Sequence, residues 1–287
     1  MICTVFITIG FFYRISMLVF AIGFSYFFLL DQTLYNNHLY LICLLSFLMT
    51  TMPADSALSL AKRKHKNTIP QWSYRLLQFQ FVVVFFFGGI TKLNPFWLDL
   101  HPVKELLQDK IHLLGVGLVA TSIIEYAMCY VGIIFDLSIG FLLWIPKTRK
   151  WAFFGALVFN LSNAYIFDDI YIFPFFMIGA LILFLDQKWI KNELLKWKIV
   201  KKTSQETLSG KLNNVTVFII AIYVFFQLIS PLRHYAIDGY TDWTGEGQRF
   251  AWRMKIQHRK IIECDFALFD LDNKKIHKIK VGRYLYA

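Results

Sequence analysis

The clearest candidate for chemistry is Lys92, which lies in the run FFFGGITKLNPFW. Gly88 and Gly89 allow another backbone to approach closely, and Asn94-Pro95 predicts that a helix ends just after the lysine. A partly desolvated amine at such a break is a candidate base, because burial disfavours its charged form. The alternative is that Lys92 lies at a helix end and extends its ammonium group to the lipid head groups.

Other polar side chains also interrupt apolar runs, where an ionisable group is costly and therefore a functional candidate. His38 follows Asn37 at the start of an apolar run, and these two residues are either site residues or helix-capping groups. Gln80 and Asp136 lie inside apolar runs, which is typical of hydrogen bonds between helices. Arg14 is interpreted as an interfacial anchor.

The elements that position these residues are predicted to be membrane helices. The chain is 57% hydrophobic with 30 phenylalanines, and its mean hydropathy of +0.50 exceeds what a soluble core of this size requires. We therefore predict an all-α polytopic membrane helix bundle. Its eight predicted spans are Ile2–Phe12, Ile15–Leu30, His38–Met52, Trp72–Ile90, Thr121–Ile145, Trp151–Phe167, Ile170–Leu185 and Val215–Ile229.

The net charge of +11 comes from short basic tracts between the apolar runs, which indicates cytoplasmic loops rather than a nucleic-acid binder. Along the chain these tracts fall in alternate loops, including 62–66 and 188–211. Their position predicts that His38 and Lys92 open to the same non-cytoplasmic face. The predicted localisation is an integral membrane protein of the endoplasmic reticulum or of a bacterial inner membrane, with its site facing the lumen or periplasm.

The predicted domains are a helical bundle over residues 1–230 and a non-cytoplasmic segment over 231–287. Within the bundle, residues at about 100–118 have the spacing of an amphipathic helix at the outer interface. In the second segment, Lys260–Leu271 and Lys275–Tyr284 read as two strands around the turn signal Asp272-Asn273. We expect this to be the start of a β-rich soluble domain that the sequence does not complete.

No metal site or disulfide framework is predicted. The four cysteines form no C-x-x-C pair, and the seven histidines have no ligand spacing of the H-x-x-x-H kind.

Several segments resemble the vitamin K-dependent gamma-carboxylases, which carry a horizontally transferred transmembrane helix (HTTM) domain. The resemblance extends in order over nearly the whole chain. Its main segments are Tyr13-Arg14-Ile15-Ser16, Asn36-Asn37-His38-Leu39-Tyr40, Gly89-Ile90-Thr91-Lys92-Leu93, Asp136-Leu137-Ser138 and Arg249-Phe250-Ala251-Trp252-Arg253-Met254.

The resemblance implies an enzyme that couples oxygenation of vitamin K hydroquinone, or a related reduced quinone, to carboxylation of protein glutamate by CO2. Lys92 would be the base that deprotonates the hydroquinone. His38 and Asn37 would hold the glutamate carboxylate. The substrate-binding residues implied beyond the membrane are Trp252, Arg253 and Met254. The implied partners are a glutamate-containing protein or peptide and the lipid bilayer, with no nucleic acid and no metal.

The sequence departs from the animal carboxylases at Thr91, where they carry a lysine. It also departs from them at Cys129 and Asn160, which replace histidines of the family. Two alternatives therefore stay open. One is a relative that keeps quinone epoxidation but acts on another substrate or none, and the other is a catalytically inactive membrane scaffold. Geometry separates the enzyme from the scaffold, because only the enzyme requires Lys92 and His38 to line one cavity.

Overall fold

The computed structural model describes residues 1–31, 33, 35–56, 59–60, 70–105, 107, 117–166, 172–198, 213–239, 241–254 and 266–279. Most of these residues are helical. The helices are α1 (Ile2–Ile9), α2 (Tyr13–Leu30), α3 (Asn37–Thr50), α4 (Gln71–Ile90), α5 (Pro95–Leu98), α6 (Leu118–Trp144), α7 (Arg149–Ile166), α8 (Phe173–Ala180), α9 (Gln187–Lys196), α10 (Asn214–Ile229) and α11 (Thr241–Thr244). Short 3-10 helices lie at Ala54–Ser56, Leu181–Phe184 and Ser230–Ala236, and two strands lie at Phe266–Asp270 (β1) and Lys275–Ile279 (β2).

The prediction of eight spans is wrong. Within the described ranges, four helical segments are long and apolar enough to cross a membrane, and they are Tyr13–Leu30, Gln71–Ile90, Val119–Trp144 and Asn214–Ala236. A fifth is counted if Phe173–Phe184 and Trp189–Lys196, which meet at 99°, form one broken span. Three of the other predicted spans fail on length, since α1 and α8 have 8 residues and α3 has 14, against roughly 20 needed to cross. The fourth, α7, is too polar, because it begins Arg-Lys and carries two asparagines.

Helix α4 forms the centre of the bundle. Its span is 72% buried inside the protein, whereas the span that begins at Asn214 is 11% buried. The buried faces of α4 carry large side chains, among them Phe81, Val84 and Phe85, which pack against Leu41 of α3 and Leu143 of α6. A helix that is apolar all round is expected at the core of a bundle, whereas peripheral spans expose their apolar side chains to lipid.

Helices α4 and α6 are in close contact through two glycines. A methyl group added at Gly89 would lie 2.9 Å from the backbone nitrogen of Leu137, and one added at Gly140 would lie 3.0 Å from the Cα of Val82. Small residues let membrane helices approach to backbone contact. The prediction that the glycine pair before Lys92 permits close approach is confirmed at Gly89.

A helix break beside α4 is compensated by side-chain donors. Helix α8 ends at Ala180 and continues as the 3-10 helix Leu181–Phe184, so the backbone hydrogen-bond pattern changes at Leu181. The Leu183 carbonyl accepts a hydrogen bond from Gln78 Nε2 at 2.7 Å and another from the Tyr74 hydroxyl. Backbone polar groups at membrane depth need such partners, because lipid provides none.

A buried polar network attaches α10 to the bundle. The Tyr223 hydroxyl donates to Gln80 Oε1 at 2.5 Å, Gln80 Nε2 donates to Gln227 Oε1 at 3.2 Å, and Gln227 Nε2 donates to the Tyr40 hydroxyl at 3.3 Å. Gln80 and Gln227 are both buried. The prediction that Gln80 forms hydrogen bonds between helices is confirmed.

Replacing Gln227 by leucine is expected to lower the free energy of unfolding by about 1–3 kcal/mol, because Gln80 then loses its buried amide partner. The double variant Gln80→Leu/Gln227→Leu is expected to cost less than the sum of the two single variants. Equilibrium unfolding in mixed micelles measures both effects. The control is Gln71→Ala at the exposed start of α4, the helix that carries Gln80. Strictly additive single and double variants would contradict the coupling.

The chain divides into two compact units, residues 1–256 and 257–287. The described part of the second unit is an antiparallel hairpin in which Phe266 pairs with Ile279 and Asp270 with Lys275. The Asp270 carboxylate accepts hydrogen bonds from the Asn273 side chain and from two backbone N–H groups of the turn, and these bonds lower the pKa of Asp270. The predicted hairpin turn around Asp272-Asn273 is confirmed, and the outer ends of the predicted strands lie outside the described residues.

Two other predictions are only partly covered. In the predicted amphipathic helix, residues 101–105 are helical, and Val103 and Leu107 pack against Trp97 and Cys129. The remainder up to 116 lies outside the described residues, and Leu118 already belongs to α6. The basic tract 62–66 and nearly all of the tract 188–211 beyond α9 also lie outside them, so the cytoplasmic assignment stays a prediction.

Candidate active site

Lys92 lies two residues beyond the end of α4, in a turn fixed by hydrogen bonds. Its backbone N–H donates to the Gly89 carbonyl at 3.1 Å. Asn94 Nδ2 donates to the Thr91 carbonyl at 2.8 Å, and Asn94 Oδ1 accepts from the Trp97 N–H at 2.9 Å, which caps α5. A helix break at the lysine is confirmed, but its position differs from the prediction: α4 ends at Ile90, before Lys92, and Asn94-Pro95 begins α5. The turn between the two helices brings Trp97 beside the lysine.

The Lys92 side chain points into the bundle and pairs with Asp136 of α6. Its Nζ lies 2.5 Å from Asp136 Oδ2, and the two side chains are 13% and 8% exposed. The ammonium also lies 5.1 Å from the ring centroid of Trp97, within the range of a cation–π contact. This geometry differs from an extension to the head groups and places an oppositely charged pair inside the protein.

A cavity of about 330 Å³ adjoins this pair. Its polar wall includes Asn37, His38, Lys92, Asp136, Asn160 and Arg253. Its apolar wall includes Val84, Phe85, Trp97, Phe159, Phe173 and Met177. A concave, mostly apolar space with a few converging polar groups is the usual form of a small-molecule site.

The cavity brings together most of the residues predicted for a site. Besides the polar wall, it includes Met254, whose methyl group lies 3.3 Å from where a Cβ on Gly88 would be. Trp252 does not line it. This residue is buried behind the wall, with its ring 4.9 Å from that of Tyr40. Gln80 belongs to the network with α10, and Arg14 is exposed near the start of α2, away from the cavity lining.

Two side chains before and at the start of α3 hold the segment that carries Arg253. The Tyr35 hydroxyl accepts a hydrogen bond from the Phe250 N–H at 2.6 Å and donates to Asn37 Oδ1 at 3.0 Å. Asn37 Nδ2 donates to the Arg253 carbonyl at 2.9 Å. Burial raises the pKa of Tyr35, so this hydroxyl keeps its proton. Among the described residues, one of the two amide hydrogens of Asn37 is used in this way, and the other is left for a ligand.

The segment from Phe250 to Arg253 has a strained backbone. Phe250 and Trp252 have φ values of 61° and 56°, a region that side chains larger than glycine rarely adopt. Both rings pack against Tyr40, with centroids 4.9 Å away in each case. Such conformations persist only where surrounding contacts enforce them, and they concentrate at functional sites.

Replacing Tyr35 by phenylalanine removes the hydroxyl that bonds to both Phe250 and Asn37. We expect amide hydrogen exchange of the peptide 248–254 to become faster, because the Phe250 N–H loses its acceptor. Exchange measured by mass spectrometry tests this, with Tyr26→Phe on the exposed face of α2 as control. Unchanged exchange of that peptide would show that the ring packing alone holds the segment.

Sequence reasoning missed three features of the site. It assigned Asp136 to contacts between helices and did not pair it with Lys92. It also did not place Trp97 beside the ammonium or Asn160 in the cavity wall. The available signal was that Asp136 and Lys92 are oppositely charged residues in apolar surroundings, where each requires a partner. Within the described ranges, no group of three His, Cys, Asp or Glu side chains is placed to hold a metal ion.

Comparison with known proteins places this geometry in a family. Residues 1–189 match the HTTM domain. Residues 212–287 match the lumenal domain of vitamin K-dependent gamma-carboxylase. The chain belongs to the vitamin K-dependent gamma-carboxylase family. No solved structure matches it. As a family member with several long apolar helices, it is an integral membrane protein.

In this gamma-carboxylase family member, residues of both matched regions line the cavity. Gln248, Arg253 and Met254 come from the lumenal-domain match, and the other lining residues come from the HTTM match. Two of the positions that depart from animal gamma-carboxylases are engaged elsewhere. The Thr91 hydroxyl donates to the Gly88 carbonyl at 3.1 Å, and the buried Cys129 thiol donates to the Trp97 carbonyl at 3.3 Å.

Proposed function

We propose that this protein is a gamma-glutamyl carboxylase-like enzyme that couples oxygenation of a reduced quinone to its epoxide with carboxylation of protein glutamate by CO2. The observation that carries the proposal is that the Lys92–Asp136 pair and His38 line one cavity in a member of this family. The scaffold alternative requires no such convergence.

A reduced naphthoquinone is compatible with the cavity. Its volume lies at the lower end of ligand pockets, roughly 300–1,000 Å³, which suits a two-ring head group with its tail outside. Phe85, Trp97, Phe159 and Met177 supply an apolar wall for flat rings. When bound, the quinol supplies the reducing power that turns O2 into an epoxide and a strong oxygen base.

In this proposal Lys92 and Asp136 act together as the first proton acceptor. The pair is net neutral. In its form with a Lys92 amine and an Asp136 carboxylic acid, the amine takes up the quinol proton and becomes an ammonium, which gives the pair a single positive charge. That charge balances the quinol anion formed beside it, which limits the cost of charge separation away from water. Trp97 holds the ammonium in place through its ring face.

His38 and Arg253 are proposed to hold the glutamate. A guanidinium binds a carboxylate through two parallel hydrogen bonds, and Arg253 is buried in the cavity wall. His38 is half-buried beside Phe173, with ring centroids 6.1 Å apart. The remaining amide hydrogen of Asn37 is available to the same carboxylate. The Arg253 guanidinium close to the substrate stabilises the negative charge that develops when the γ-carbon loses its proton, and His38, whose pKa is lowered by burial, contributes as a neutral hydrogen-bonding group.

The experiment is a carboxylation assay of the full chain in nanodiscs. It uses a naphthoquinol, O2, labelled CO2 and a glutamate peptide, and it follows label incorporation and epoxide formation in the same reaction. Both products are expected, and each requires the quinol. Epoxide without incorporated label would favour the relative that acts on another substrate or none. Neither product from a folded, quinol-binding sample would contradict the proposal.

A further inference from the structure

Asn160 is a buried polar residue of the cavity wall. The residue is 3% exposed, and its Nδ2 donates to the Ala156 carbonyl of its own helix at 2.8 Å. This bond fixes the side-chain amide, so that its oxygen lies on the opposite side from the donating nitrogen. Among the residues that the structure describes, no hydrogen bond reaches Asn160 Oδ1. A buried side chain with an acceptor left open in the wall of a cavity points to a ligand donor.

Asn160 and Asp136 lie at the same level of neighbouring helices. Phe135 of α6 stacks on Phe159 of α7 with ring centroids 3.9 Å apart, and each ring immediately precedes one of the two polar residues. Packed helix axes are about 8–10 Å apart, a distance that accommodates one aromatic ring between groups on the two helices. Both polar residues line the cavity.

We propose that Asn160 makes the cavity selective for the reduced form of its quinone by accepting a hydrogen bond from the ring hydroxyl that is not deprotonated. The inference rests on the proposed function, since it concerns the same cavity and co-substrate. A quinol has two hydroxyl donors across its ring, whereas the oxidised quinone has only carbonyl oxygens there. With the quinone bound, Asn160 Oδ1 faces another acceptor and stays unsatisfied, which costs binding free energy.

The amide of Asn160 is suited to this task because it has no basic character. It holds a hydroxyl without removing the proton, whereas the Lys92–Asp136 pair removes the proton from the other hydroxyl. The two groups therefore distinguish the ends of the ring. Their distinct chemistry orients the quinol as well as selecting its redox state.

Binding of 2-methyl-1,4-naphthoquinol and of its oxidised form is measured without O2, by calorimetry on the full chain in nanodiscs. The variants are Asn160→Leu, which removes the acceptor at similar size, and Asn160→His, which keeps an acceptor nitrogen. Ser162→Ala is the matched control, since this exposed hydroxyl on the same helix donates only to the Val158 carbonyl at 2.9 Å.

The wild type is expected to bind the quinol more tightly than the quinone. Asn160→Leu is expected to reduce the ratio of the two affinities about tenfold, the effect of one hydrogen bond to a buried acceptor. The loss should fall on the quinol, with partial recovery in Asn160→His and no change in Ser162→Ala.

Equal affinities in the wild type, or an unchanged ratio in Asn160→Leu, would overturn the inference and leave the proposed function standing. Binding of neither form to the wild type would instead contradict the proposed function. If Asn160→Leu does not fold, the dimethyl ether of the quinol tests the wild type directly. This reduced ligand has no donor, and binding as tight as that of the quinol would overturn the inference.

Discussion

Replacing Lys92 by alanine is expected to lower turnover by about 10²–10⁴-fold, the usual contribution of a positioned acid or base. Small primary amines added to the assay are expected to restore part of the activity, because they fit the space vacated by the side chain. Asp136→Asn is expected to lose turnover as well, since Lys92 then lacks the carboxylate that lies 2.5 Å away. Parallel assays of label incorporation and epoxide measure these losses, and full activity in Lys92→Ala would contradict the assigned role.

The same pair is expected to give a distinctive result in stability measurements. Removing one member of a buried ion pair leaves an uncompensated charge and costs about 3–5 kcal/mol, whereas replacing both by apolar groups is often neutral. Lys92→Met and Asp136→Leu should therefore each destabilise the protein, while the double variant should recover stability and remain inactive. An active double variant, or one as unstable as the sum of the singles, would contradict the coupling of the pair.

The second large effect is expected at Gly89. Replacing it by alanine places a methyl group 2.9 Å from the Leu137 backbone nitrogen, and a backbone atom cannot move aside as a side chain does. We expect a loss of about 1–3 kcal/mol in stability from overpacking. We also expect turnover to fall by about 10²-fold, because α4 and α6 carry the two partners of the ion pair and a shift near 1 Å misplaces them.

The matched control is Gly155→Ala in α7. An added methyl group there has no neighbour within 4 Å among the described residues, so the substitution should stabilise the helix slightly, by about 0.5–1 kcal/mol. Equilibrium unfolding and the carboxylation assay are applied to both variants. If Gly89→Ala behaved like Gly155→Ala, the close contact between α4 and α6 would not be what fixes the geometry of the Lys92–Asp136 pair.

Sequence reasoning succeeded where the determinant was local. Asn94-Pro95 separates two helices, because it starts α5 through a side-chain cap and a fixed backbone angle. Asp272-Asn273 forms a turn through bonds within four residues. Sequence reasoning failed on the number of spans for two reasons: α7 is more polar than a span, and hydrophobicity does not reveal how long each of the other helices is. In the run 170–185, α8 changes to a 3-10 helix at Leu181, and Gln78 of another helix donates to the Leu183 carbonyl there.

Several residues that line the cavity could be selected from the sequence, but their contacts with one another could not. A resemblance and two apolar runs sufficed to select Lys92, His38 and Arg253. The pairing of Lys92 with Asp136 depends on how closely α4 approaches α6, and Trp252 is displaced from the cavity by its packing on Tyr40. Both outcomes are set by contacts between residues far apart in the chain, which no local pattern encodes.

The cavity wall takes residues from both matched regions, and this has a consequence for how such genes can recombine. A chimera that joins residues 1–189 of one relative to the region 212–287 of another would exchange part of a binding wall rather than a self-contained module. The contacts between Tyr35 and Phe250, and between Gln80 and Gln227, cross that junction. Residues at such crossing positions are therefore expected to change together among relatives, as matched pairs on the two sides of the junction.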